Sequence, residues 1–124
     1  MKCTQAELVA AKTAIRRRHG CDSYYVGSHE SVNLAEATTA LISKRGYSFV
    51  DAKAAVIELH ADTIPFDESQ AYETARLQPI TRGRGLSLGD RACIALARAR
   101  GSAAVTADTI WGLDVDGVPV VQIR

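Results

Sequence analysis

Gly85-Leu86-Ser87-Leu88-Gly89-Asp90-Arg91-Ala92-Cys93 decides how this chain is read, because it opens a helix expected to run to about Arg100 and to stop at Gly101. Ser87 and Asp90 have the spacing of a capping box, in which the hydroxyl accepts from a free backbone N–H and the acid reaches back to the cap. The apolar run Ala103-Ala104-Val105-Thr106 follows at once and reads as a buried strand. Thr106-Ala107-Asp108 then sets a second carboxylate just past that strand, eighteen positions after Asp90. The two acids stand at the ends of elements that should lie side by side.

Upstream, Thr4-Gln5-Ala6-Glu7 repeats the capping-box spacing and predicts a helix over about residues 5–18, stopped by Gly20. Tyr24-Tyr25-Val26 reads as a short buried strand. An amphipathic stretch from about Ser31 to Lys44 ends at Arg45-Gly46, and Ser48 caps a further helix to about Leu59. Thr63-Ile64-Pro65-Phe66 has a strand's composition with a proline at its end, and Asp67 starts a helix to about Leu77. Pro79 and two glycines make Gln78 to Gly85 an irregular connection. Asp116-Gly117 predicts a turn before the last strand, Val118 to Ile123. Helices alternating with short apolar strands give an α/β fold, with a mainly parallel sheet flanked by helices.

At 124 residues the chain fits a single domain, 1–124. No apolar stretch approaches the roughly 20 residues needed to cross a bilayer, and the N-terminus lacks a signal-peptide core, so no membrane contact and a cytoplasmic location are expected. Cys3, Cys21 and Cys93 match neither a C-x-x-C redox motif nor a zinc site. A formal charge of +1 excludes binding of nucleic acid by bulk basicity, so any RNA contact must come from local patches. Arg82 and Arg84, on the connection into the Asp90 helix, are one such patch, with a solvated loop as the plainer reading.

Three acids have individual structural explanations. Asp90 belongs to a capping box, Glu36 lies early in a helix, and Asp108 follows a strand where an Asx turn is common. Asp114 and Asp116 read as turn residues, Asp51, Asp62 and Asp67 as caps and loops. Asp22 and Glu30 flank the Tyr25 strand.

Taken together, Asn33-Leu34-Ala35-Glu36, Leu86-Ser87-Leu88-Gly89-Asp90-Arg91 and Thr106-Ala107-Asp108 resemble the acidic signatures of VapC-type PIN-domain toxins, small metal-dependent ribonucleases. The likeness covers about Leu8 to Arg124. It implies a PIN-like three-layer α/β fold, with Glu36, Asp90 and Asp108 as catalytic residues and metal ligands. The implied cofactor is Mg2+ or Mn2+, since a hard dication relieves the repulsion among clustered carboxylates. RNA is the implied substrate, cut to leave a 5′-phosphate and a 3′-hydroxyl, with a cognate VapB-like antitoxin and a second copy of the chain as partners.

In that family a central first strand carries a further aspartate in a five-stranded sheet of order 3-2-1-4-5. This sequence supplies only the last four strands. Without the central one, two half-sheets are expected unless they pair directly, a partner donates a strand, or the sequence is a fragment. A catalytically inactive PIN remnant that binds antitoxin or RNA without cleavage is the alternative, and an upstream acid such as Asp22 or Glu30 is a candidate to replace the missing aspartate.

Overall fold

The computed structural model describes residues 28–58, 62–106 and 108–122. The expected helix over residues 5–18, the Tyr24-Tyr25-Val26 run, Asp22, Cys3 and Cys21 lie outside the described residues.

Strand β1, Ser28–Glu30, passes without a loop into helix α1, Ser31–Arg45. Gly46 ends α1 at φ 71°, a left-handed conformation that a glycine adopts without steric cost. Helix α2, Phe49–Ile57, is capped by the Ser48 hydroxyl, which accepts from the Asp51 N–H at 3.1 Å. After strand β2, Asp62–Ile64, the Asp67 carboxylate caps α3, Glu68–Thr81, by accepting from the Gln70 N–H at 2.9 Å. A 3-10 turn at Arg82–Arg84 leads to α4, Leu88–Arg100, which ends at Gly101 as the sequence predicts. Strand β3, Ala104–Thr106, a 3-10 turn at Thr109–Trp111, and the hairpin of β4, Asp114–Val115, with β5, Val118–Gln122, complete the described chain.

Two expectations are corrected here. Helix α3 does not stop near Leu77 but continues through Pro79 to Thr81. Proline removes an intrahelical hydrogen bond, but Leu77 and Thr81 are both buried and the Thr81 hydroxyl donates to the Leu77 carbonyl at 2.9 Å, so packing holds the last turn across the gap. Asp114 is a strand residue, paired with Pro119, rather than only part of the turn. The turn itself is Asp116-Gly117, both at positive φ (50° and 81°), the two-residue hairpin geometry that favours this pair.

Among the described residues the strands form two sheets, the two halves expected where no central strand joins them. β1 pairs in parallel with β2, Glu30 opposite Ile64, while β3 pairs in parallel with β5 and β5 antiparallel with β4. Among the described residues no strand joins the two sheets. Helix α4 contacts β1 on one sheet and β3 and β5 on the other, so it spans both. The mixed α/β class holds, with parallel pairing in both sheets.

The apolar core divides in the same way. Leu77, Leu86, Ile94, Ala95, Ala97, Ala104, Trp111, Val115, Val118 and Val120 form the larger cluster, with Cys93 packed against it. Leu41, Ala52, Ala55 and Val56 form a second between α1 and α2, joined by Leu34. Trp111 is fully buried in the larger cluster, so the short turn that carries it is anchored to the sheet.

Arg84 is a structural residue. Its Nη1 donates to the Trp111 carbonyl at 2.9 Å and to the Asp114 carbonyl at 2.8 Å, tying the turn before α4 to the hairpin. Charged donors on carbonyls contribute about 1.5–3 kcal/mol when shielded. Arg84→Ala is therefore expected to lower unfolding free energy by about 1–2 kcal/mol in urea titrations, and Arg82→Ala, at an exposed position, by under about 0.5 kcal/mol. Equal effects would deny Arg84 this role.

Candidate active site

The short link Gly101–Ala103 makes α4 run back along β3, so the start of α4 lies at the carboxyl end of β3. Asp90 sits in that first turn and Asp108 two residues past the strand, which brings both to the same end of the sheet. Helix α1 begins where β1 ends, and the buried Asn33 side chain donates through Nδ2 to the Gly89 carbonyl at 2.9 Å. That bond joins the first turn of α1 to the first turn of α4. A second bond, from the Phe66 N–H to the Ser31 hydroxyl at 3.0 Å, brings in the segment that caps α3. The carboxyl ends of β1, β2 and β3 thus meet the starts of helices, where open α/β sheets hold their ligands and helix dipoles favour negative charge.

Asp90 is buried and forms the predicted capping box: its Oδ2 accepts from the Ser87 N–H at 3.0 Å, and the Ser87 hydroxyl accepts from the Asp90 N–H at 3.2 Å. Glu36 places its carboxylate directly over the Cα of Gly89, in the space that a side chain there would take. Glycine at 89 therefore admits the acid beside Asp90. The separation of 53 positions between Glu36 and Gly89 explains why no local pattern revealed this contact.

Asp108 is exposed and held within its own loop. Its N–H donates to the Thr106 hydroxyl at 3.0 Å, its Oδ1 accepts from the Ile110 N–H at 3.0 Å, and the Gln122 amide closes the loop on the Gly112 carbonyl at 2.9 Å. The Glu36 carboxylate lies over Gly89, the residue before Asp90, while Asp108 is held in its own loop. Among the described residues no three acids, histidines or cysteines are grouped to hold a metal ion. As a donor set, Glu36 and Asp90 offer the hard oxygens that Mg2+ and Mn2+ prefer.

No protein-family model matches the chain, and no curated protein matches it. Among the described residues no helix is long and apolar enough to cross a membrane.

Glu30 flanks the expected Tyr25 strand and ends β1. It is buried, neither carboxylate oxygen has a hydrogen-bond partner among the described residues, and its carboxyl is pushed up to about 7, first by burial and then by the charge of Asp67. A glutamate that ends a three-residue strand and precedes a helix carries no pattern announcing burial. On the opposite flank, Asp116 accepts from Arg76 at 2.7 Å and from Arg98 at 2.8 Å, with Glu73 also on Arg76. The Arg76 hydrogen bond holds the Asp116 carboxyl below the usual range, and this solvated network belongs to the α3, α4 and hairpin surfaces.

Proposed function

We propose that this chain is a VapC-type PIN-domain protein acting as a metal-dependent endoribonuclease, the toxin of a toxin and antitoxin pair. The observation that carries the reading is the seating of the Glu36 carboxylate on Gly89, next to Asp90, at the head of the helix whose following strand leads to Asp108. The order Glu36, Asp90, Asp108 is in keeping with the order of the family-like strings.

In this reading Glu36 and Asp90 hold Mg2+ or Mn2+, with Asp108 completing the site from its loop. When bound, such an ion lowers the pKa of water and stabilises charge on a scissile phosphate. The capping box orients Asp90, Asn33 fixes α1 against α4, and Gly89 leaves room for Glu36. Arg82, exposed on the turn before α4, is suited to contact an RNA phosphate. The support for a protein partner, antitoxin or second copy, is Phe49, Val50 and Ile57, exposed on α2 at 63%, 72% and 61%.

The test is cleavage of a mixed RNA by the purified chain with Mg2+ or Mn2+, against EDTA. Ion-dependent cleavage to 5′-phosphate and 3′-hydroxyl ends is the expected result. A folded protein that leaves RNA intact under both ions sinks the nuclease reading. It would favour a non-cleaving remnant, which the engagement of Asp108 Oδ1 by its own loop supports.

A further inference from the structure

Glu30 ends β1 opposite Ile64 of β2, and the bond from the Phe66 N–H to the Ser31 hydroxyl ties the ends of both strands together. Asp67 follows directly. Its Oδ1 is occupied by the Gln70 N–H, and its charge acts on Glu30. Both Glu30 oxygens are buried with no hydrogen-bond partner among the described residues. A buried carboxylate without a partner is unfavourable, and a like charge beside it increases the penalty. Neither residue belongs to the Glu36 and Asp90 pair.

We propose that Glu30 and Asp67 bind a divalent cation at the carboxyl ends of β1 and β2, a site separate from Glu36 and Asp90. A hard cation takes carboxylate oxygens by preference and neutralises two like charges at once. Glu30 supplies both of its oxygens and Asp67 the one that does not cap α3. The raised proton affinity of Glu30 means that cation and proton compete. Cation affinity should therefore climb with pH, by close to tenfold per unit below pH 7, and level off above it. The proposal does not rest on the nuclease reading and stands or fails apart from it.

The experiment uses the full chain carrying Glu36→Gln and Asp90→Asn, so that the candidate active site is silent. MnCl2 at pH 8 is expected to raise Tm by about 3 °C or more, and adding Glu30→Gln or Asp67→Asn should remove the rise. Asn retains capping ability at position 67, so loss of the rise there reports on the cation rather than on α3. Calorimetric titration of MnCl2 into the otherwise native chain and into Glu30→Gln should find one site fewer in the variant. No rise in the silenced chain, a rise that survives Glu30→Gln, or equal site numbers would each overturn the proposal.

Discussion

Under the proposed nuclease reading, Gly89→Ala is expected to reduce RNA cleavage on the order of a hundredfold, the scale of a 1 Å misplacement of a catalytic group, while leaving the protein as stable as the native chain or slightly more so. A methyl at position 89 would occupy the place of the Glu36 carboxylate. The obstructing atoms are the end of a flexible side chain, so Glu36 swings away and α4 stays where it is. The backbone at 89 is ordinary helix, where alanine is favoured over glycine by up to about 1 kcal/mol. Asp90 keeps its capping box with Ser87, since neither hydrogen bond involves position 89. Most substitutions that damage an active site by packing also lower stability; this one separates the two. Cleavage rates and urea midpoints for Gly89→Ala, beside Asp90→Asn, make the comparison. A folded Gly89→Ala chain that cuts RNA at the native rate would remove Glu36 from the catalytic set.

Glu30→Gln is expected to stabilise the chain by on the order of 2–3 kcal/mol at pH 8 in EDTA, and by under about 1 kcal/mol at pH 5. The carboxyl of Glu30 binds its proton up to about pH 7 in the folded chain, against 4.5 for an ordinary glutamate. Between those values the folded form holds more proton than the unfolded one, so stability falls as pH rises through that window and is flat above it. Glutamine imitates the protonated carboxyl in size and in lacking charge, and therefore abolishes the fall. Urea unfolding at pH 5, 6, 7 and 8 measures this directly. Parallel pH profiles for the native and Glu30→Gln chains would mean that Glu30 is not buried as a lone acid.

Much of the local structure was legible because its causes are local. Ser48, Asp67 and Ser87 each cap the helix that their spacing announces, since a cap needs only a side-chain oxygen and an N–H three residues on. Gly46 and Gly101 end helices for the same short-range reason, a left-handed backbone that other residues resist. The passage of α3 through Pro79 was not legible, because Leu77 and Thr81 are buried by packing against other elements. Similarly, Asp114 became a strand residue only by pairing with Pro119 across the turn.

The candidate site shows the same boundary. From the sequence alone came the α/β class, the helix that Asp90 opens and the strand that leads to Asp108. These follow from spacing along one continuous piece of chain. Tertiary structure alone decided that α4 spans both sheets, that the Glu36 carboxylate lies over Gly89, and that Asp108 is held in its own loop. It alone buried Glu30 without a hydrogen-bond partner among the described residues. Strand pairing and desolvation depend on which distant segments come together in space, and residue spacing along a chain carries no direct record of that.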